Sequence, residues 1–348
     1  MSLLKSEGLV TPTPNPEFWK AVPVFLESLS RWGKRGWHSP NINDKITNLA
    51  EESRVKYIKP TGEKMSHAAI ITDTDSNLPL ELAKKYNIVQ VPILIQFGDE
   101  SYRDIYDINN DSIFARIDKD GKLPTTAAPS PGQFVEAFKS AFATGADSIL
   151  CLSISSEMSA TYASARQAAE LFPGKRIEVL DTRSLAMGQG YMVLAAAEVV
   201  ANGASIEEAI AVAEGVRSRT NLFGALTTLK YIAMSGRVSA LAAGIAGLLD
   251  IKPILSLQNG KLELLEKIRT QRKSWNRAIE LTAEKATGHK IEKMSILNVK
   301  CPDSARQFEG LLRAAIACPD EIVHVDLNPG LSTHTGAGMV AVVFVVAK

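Results

Sequence analysis

The chain has 348 residues, 45% of them hydrophobic, and its 39 basic and 38 acidic residues leave a formal charge of +1. That length is enough for two ordinary cores, and the balanced charge supplies no field that would draw nucleic acid or anionic lipid. The cysteines Cys151, Cys301 and Cys318 are odd in number, far apart and not in metal-ligand spacing, so no disulfide framework and no metal site are expected.

Along the chain, residues 1–66 stand apart, with Pro12, Pro14, Pro16, Pro23, Pro40 and Pro60 and the tryptophans Trp19, Trp32 and Trp37. They read as an appended, partly helical arm, in which Phe18, Val22, Phe25, Leu26 and Leu29 recur at the spacing of one amphipathic helix. The arm packs on its own protein or on a second copy, so a monomer or a homodimer is expected. The first residues lack the apolar core of a secretory signal, and no apolar run reaches membrane-spanning length, so a reducing cytoplasm is the expected location.

From His67 an α/β rhythm begins. "AAIITD" reads as a strand, "LPLELAKKYN" as a helix and "IVQVPILIQF", Ile88 to Phe97, as a second strand. A helical pattern from Gln133 to Ala143 leads to the strand "SILCLSIS", a helix through "TYASARQAAELF" and the strand "RIEVLDT". Strands separated by helices predict a mostly parallel sheet over residues 67–219. A long alanine-rich helix runs from about Gly190 to Asn202, and Ser205 with Glu208 forms a capping box for the next helix.

Over residues 220–348 the pattern changes. An apolar helix "LAAGIAGLL" carries Gly244 and Gly247, each costing roughly 1 kcal/mol against alanine. The strands "KPILSL" and "KLELLEKI" flank Asn259 and Gly260, a strong hairpin signal. A basic helix, the units "KMSILNV" and "EIVHVDL" and a valine-rich strand from Met339 to Ala347 complete a second α/β domain with a mixed or antiparallel sheet that the last strand closes.

Ligands of open α/β sheets sit beyond the carboxyl ends of the strands, where this chain places Asp73 and Thr74, Ser155 and Ser156, and Asp181 and Thr182. Each can instead cap the helix that follows. In "SISSEMSATYASA" Ser156 and Ser159 compete for one N-cap, and a helix start with a spare hydroxyl and small neighbours suits a carboxylate or phosphate. Nucleophilic use of Ser159 is the competing reading, without a G-x-S-x-G elbow to support it. Thr125 and Thr126 form a second hydroxyl site in the Pro-bounded "LPTTAAPS", which is otherwise an ordinary loop. Arg237 follows Gly236 at a turn, where it covers neighbouring surface or faces an anion. His334 precedes a G-x-G in the wrong context for a dinucleotide loop, and serves a site or packs.

Seven collinear segments, "ITDTDSNLP", "TTAAPS", "SSEMSATYASA", "VLDTRSLAMGQG", "LKYIAMSGRVS", "LLDIKPIL" and "HTGAG", resemble the DegV family of bacterial fatty-acid-binding proteins over Ala68 to Lys348. The resemblance implies a two-domain α/β protein that holds one long-chain fatty acid in a tunnel between its domains. It also implies a carrier with no cofactor and no turnover of its own, presenting the carboxylate to a separate kinase protein that makes an acyl phosphate. By the same resemblance Thr126 and Ser159 hydrogen-bond the carboxylate, and Arg237 and His334 lie near the head group or the partner face. Asp73, Thr74, Thr125 and Ser156 complete the expected cleft. The sequence departs from the family pattern where Ala127 and Ala128 replace Ser and Gln, Ala160 replaces Gly and Ala337 replaces Pro; the usual family member also lacks the arm. The alternative is a free-standing phosphotransferase or hydrolase acting on a small molecule through Ser159 or His334.

Overall fold

A computed structural model describes residues 67–238 and 251–348. The expected N-terminal arm and the helix bearing Gly244 and Gly247 lie outside the described residues.

Among the described residues the chain forms three sheets. The first is built from β1 (Ala68–Asp73), β2 (Val89–Val91), β6 (Ser148–Ser153) and β7 (Arg176–Asp181), in the order β2-β1-β6-β7 and parallel throughout. Every residue of β6 is buried, as a strand covered on both faces requires. One face carries α3 (Pro131–Ala143) and α4 (Thr161–Glu170), sealed by Phe134, Phe138, Ala165 and Ala168. Ser130 starts α3 with a capping box to Gln133.

The other face carries α5 (Ala186–Ala201), with α6 (Ile206–Arg217) packed on α5 and on β6. α5 is apolar nearly all round and buried at eleven positions, the signature of a helix enclosed by protein. It packs on β1 and β6 and also reaches the second sheet, so the two sheets share one core.

That second sheet contains β8 (Thr220–Ala225), β9 (Lys252–Gln258), β10 (Lys261–Ile268), β11 (Ile291–Asn298), β12 (Val323–Asp326) and β13 (Val340–Val346). Its order is β10-β9-β8-β13-β11-β12, antiparallel except for β11 with β12. It is therefore mixed, as expected, but β13 does not close it. The valine-rich strand is inserted between β8 and β11, where both its edges are paired and six of its seven residues are buried. Its outer face packs under α8 (Gln271–Ala286) and α9 (Pro302–Ala315) through Phe344, Phe223, Phe308 and Trp275.

The segment expected as one strand from Ile88 to Phe97 divides at Pro92. Proline lacks the N–H that a central ladder needs. β2 joins the parallel sheet, while β3 (Leu94–Phe97) turns away to pair with β4 (Glu100–Arg103) and β5 (Thr125–Ala127) in a third, antiparallel sheet. The helices α1 (Leu80–Lys85) and α2 (Asn110–Asp120) flank these turns, and α7 (Lys230–Ser235) and α10 (Pro329–Thr335) complete the described elements.

The hairpin between β9 and β10 has Asn259 at φ 50 and Gly260 at φ 84, the two left-handed positions of a type I′ turn. Its tip is tied to the parallel sheet: Ser155 Oγ donates to the Gly260 carbonyl at 2.7 Å. A Cβ on Gly260 would meet Ser155 Oγ at 2.7 Å and Arg183 Cβ at 3.3 Å. Gly260→Ala is expected to destabilise the fold by about 1–2 kcal/mol through backbone strain and this crowding. In urea unfolding this should appear as a lower midpoint with an unchanged slope.

Candidate ligand cavity

Between the parallel sheet, the mixed sheet and the short third sheet lies a cavity of about 320 Å³, within the range of small-molecule sites. Its polar lining residues among the described ones are Asp75, Thr126, Ser159, Arg237, His334 and Thr335. The other described lining residues are apolar, with Leu222, Leu255, Leu297 and Ala341 from the mixed sheet and Leu185 and Ala186 from the start of α5.

Four residues expected at the head group therefore line one cavity. Thr126 lies on β5 opposite Ile95 of β3, and its Oγ1 shares a hydrogen bond of 2.9 Å with Nε2 of His334 on α10. Burial and the nearby Arg237 guanidinium lower the His334 pKa to about 4, so the ring is neutral at pH 7. Arg237 follows the left-handed cap Gly236 of α7 and is exposed. It lines the cavity and also an adjoining surface pocket with Glu157, Met158, Lys261 and Leu262, which places it at the mouth. Its NH1 donates to the Ser235 carbonyl.

Ser159 does not cap α4. The N-cap is Ala160, with no side-chain cap bond, and the helix begins at Thr161. Residues 155–159 instead form a turn, with Met158 N and Ser159 N donating to the Ser155 carbonyl at 2.9 and 3.1 Å. From just outside the helix Ser159 Oγ accepts from Thr161 N at 3.3 Å and shares a 2.8 Å hydrogen bond with Thr161 Oγ1. Ser156 does not cap α4 either: its Oγ donates to Asp181 at 2.6 Å on the exposed surface. Ser155, at the expected strand end, lies beyond the end of β6 and serves the hairpin.

The other expected cleft residues, Asp73, Thr74, Thr125 and Ser156, are not among those lining the cavity. Asp73 is fully occupied below it. Its Oδ2 accepts from Ile154 N at 2.8 Å, and its Oδ1 accepts from Asp75 N and Gln189 Nε2, each at 3.1 Å. It thus caps the single helical turn Thr74–Ser76 and joins the ends of β1 and β6 to α5. Thr74 Oγ1 accepts from Ile93 N at 3.2 Å. Thr125 is exposed, because successive strand residues face opposite sides and Thr126 takes the inner one. Ser156 is held outside by Asp181.

Asp75 was not among the residues expected at the site. It is 4% exposed and lines the cavity, but one aspartate after a strand is indistinguishable in sequence from a turn residue. Burial, followed by the charges of Asp73 and Asp104, pushes its pKa well above the carboxylate range, against the pull of Arg237. Asp104 Oδ1 accepts from Gly330 N of α10 at 2.9 Å. No group of three or more His, Cys, Asp and Glu among the described residues could hold a metal ion, and no helix among them is long and apolar enough to cross a membrane.

Burial raises the Asp104 pKa from 3.8 to about 6, against the Gly330 N–H. The folded state therefore holds a proton that the unfolded state has released between about pH 4 and 6, and stability through this group falls as pH rises across that window. Asp104→Asn keeps an acceptor for Gly330 and removes the titration. Relative to the natural chain, the variant is expected to gain on the order of 1–3 kcal/mol between about pH 4 and 7, read from chemical unfolding at both ends.

The family profile described as "Uncharacterised protein, DegV family" matches residues 67–347. A DegV domain-containing protein of Halalkalibacterium halodurans is 30% identical over 82% of this chain and 100% of its own length. One from Streptomyces coelicolor is 31% identical over 80% and 98%. Among solved structures, a fatty-acid-binding DegV family protein from Thermus thermophilus superposes with a TM-score of 0.75 at 29% identity, covering 81% of this chain and all of that one. DegV of Bacillus subtilis, a fatty acid binding protein, gives 0.71 at 26% identity over 81% and 100%. With its sheets in place and its profile match spanning 67–347, the chain belongs to the DegV family.

Proposed function

We propose that this protein binds one long-chain fatty acid in the cavity, with the carboxylate held by Thr126 and Ser159 and the acyl chain against the leucines of the mixed sheet. The observation that carries the proposal is one cavity whose described lining is apolar apart from a small polar set, in which Thr126 is already paired with a neutral His334. A sixteen-carbon chain, at about 0.8 kcal/mol per buried methylene, gains on the order of 12 kcal/mol before ordering costs, so ligand survives purification. Hydroxyl hydrogen bonds to a charged acceptor add roughly 1.5–3 kcal/mol each and set which end of the ligand points where. The fatty acid binding of the Thermus and Bacillus relatives supports the same reading.

The protein acts as a carrier without turnover of its own and presents the carboxylate to a separate kinase protein for acyl-phosphate formation. Arg237, exposed at the mouth, faces that partner. A hydrolase or phosphotransferase acting through Ser159 would need a base beside the hydroxyl. Ser159 Oγ is instead partnered by Thr161, and His334 by Thr126.

Mass spectrometry of an organic extract from the denatured, purified protein is expected to find close to one long-chain fatty acid per chain. An extract without fatty acid, together with no thermal shift on adding palmitate or oleate, would sink the proposal. Thr126→Val combined with Ser159→Ala should lower the amount retained. Arg237→Ala should retain ligand yet slow acyl-phosphate formation when the kinase is supplied, and an emptied cavity in Arg237→Ala would contradict this division of roles.

A further inference from the structure

Asp75 is the one cavity-lining carboxyl among the described residues. It sits in the helical turn directly after β1, and its backbone N–H is given to Asp73 Oδ1. At 4% exposure its side chain has left bulk water, yet it makes no hydrogen bond and no ion pair with a described residue. A buried carboxyl in that state has hydrogen-bonding capacity open towards the cavity, which an occupant could use.

We propose that Asp75 is a further ligand-contacting residue, holding a proton that it shares with the carboxylate of the bound fatty acid. This rests on the fatty-acid reading above and adds a proton to it.

The charged and titratable groups around Asp75 favour this state. Asp73, from the end of β1, and Asp104, from the segment after β4, both disfavour a negative charge on it. Arg237 at the mouth opposes them, but it lies on the exposed side and already donates to the Ser235 carbonyl. His334 on α10 is held neutral, so it adds no positive charge to offset the acids. An ionised Asp75 beside an incoming carboxylate would set two like charges in one mostly apolar cavity, and such pairs keep a proton between them. A protonated carboxyl offers one O–H donor, and the ligand carboxylate can accept it as a short, charge-assisted hydrogen bond.

The proton balance follows directly. The ligand arrives as a carboxylate. Where Asp75 is already protonated, no net proton is taken up. Where Asp75 is ionised in the empty protein, binding draws one proton from solvent onto the Asp75–ligand pair. Affinity is therefore flat at lower pH and falls on the alkaline side by at most about tenfold per pH unit, the limit for one linked proton.

The test is calorimetric titration of palmitate into the delipidated full chain, in pairs of buffers with different ionisation heats, between about pH 6.5 and 9.5. The natural chain is expected to take up from near zero to about one proton per palmitate across this range, with affinity falling in step. Asp75→Asn, which keeps size and an N–H donor, is expected to bind palmitate with no uptake and a flat profile. A natural chain with no uptake and flat affinity at every pH overturns the proposal, as does an Asp75→Asn variant that takes up the same proton, which would assign it to another group. Should the variant fail to fold, hexadecanol serves as second probe on the natural chain. Its affinity is expected not to fall on the alkaline side, and a fall parallel to that of palmitate would place the effect on the fold and overturn the proposal. Failure of palmitate to bind at any pH removes the fatty-acid reading itself and is distinguishable from each of these results.

Discussion

The cavity depends on a reciprocal pair of amides. Asn77, just past β1, accepts from Asn328 N at 2.9 Å and donates to the Asp326 carbonyl at 3.1 Å, while Asn328 donates to the Thr74 carbonyl at 2.7 Å. Asn110 adds a bond to the Leu327 carbonyl at 2.8 Å, and Asp104 takes Gly330 N. These contacts hold the start of α10 against the end of the parallel sheet, and α10 carries His334 to Thr126. Buried and half-buried amides and carboxylates that satisfy backbone groups from several elements specify one arrangement, since any slip leaves several of them unpaired.

The same seam explains the acidity of its neighbourhood. Asp73 and Asp104 are buried because backbone N–H groups need them as acceptors, and burial raises both pKa values to about 6. Asp75 lies between them with its carboxyl turned to the cavity. The structural carboxyl of Asp73 and the cavity-lining one of Asp75 are thus neighbours at a single turn, with Asp104 close enough to influence Asp75 from the segment after β4.

Much of this was legible in the chain. The fully buried β6, the alanine-rich α5 and the Asn259–Gly260 turn follow from periodicity and turn chemistry alone. The break at Pro92 was missed, because the apolar run from Ile88 to Phe97 reads as one strand, and so was the joining of its two halves to different sheets. The central place of β13 was not legible either, because a valine run shows burial on both faces without showing which strands lie beside it. Thr126, Ser159, Arg237 and His334 were singled out through motif order, and they line one cavity although their sequence separation reaches 208 residues between Thr126 and His334. Asp73 and Thr74 look the same in sequence as ligand residues. Their oxygens turn out to be used by backbone N–H groups, a fact of tertiary geometry. The hydroxyls of "SISSEMSATYASA" divide their work by the same logic: Ser155 holds the hairpin, Ser156 holds Asp181, and Ser159 faces the cavity.

The proposed head-group site combines hydroxyls, one neutral imidazole and one mostly exposed guanidinium, a set whose chemistry can orient a carboxylate without enclosing it in a salt bridge. The most direct measurement is a crystal structure of the protein with palmitate bound. The carboxylate is expected within hydrogen-bond distance of Thr126 and Ser159, with the acyl chain running along Leu222, Leu255 and Leu297. A ligand whose carboxylate lies elsewhere, or whose chain occupies a different part of the protein while this cavity stays empty, would contradict that placement.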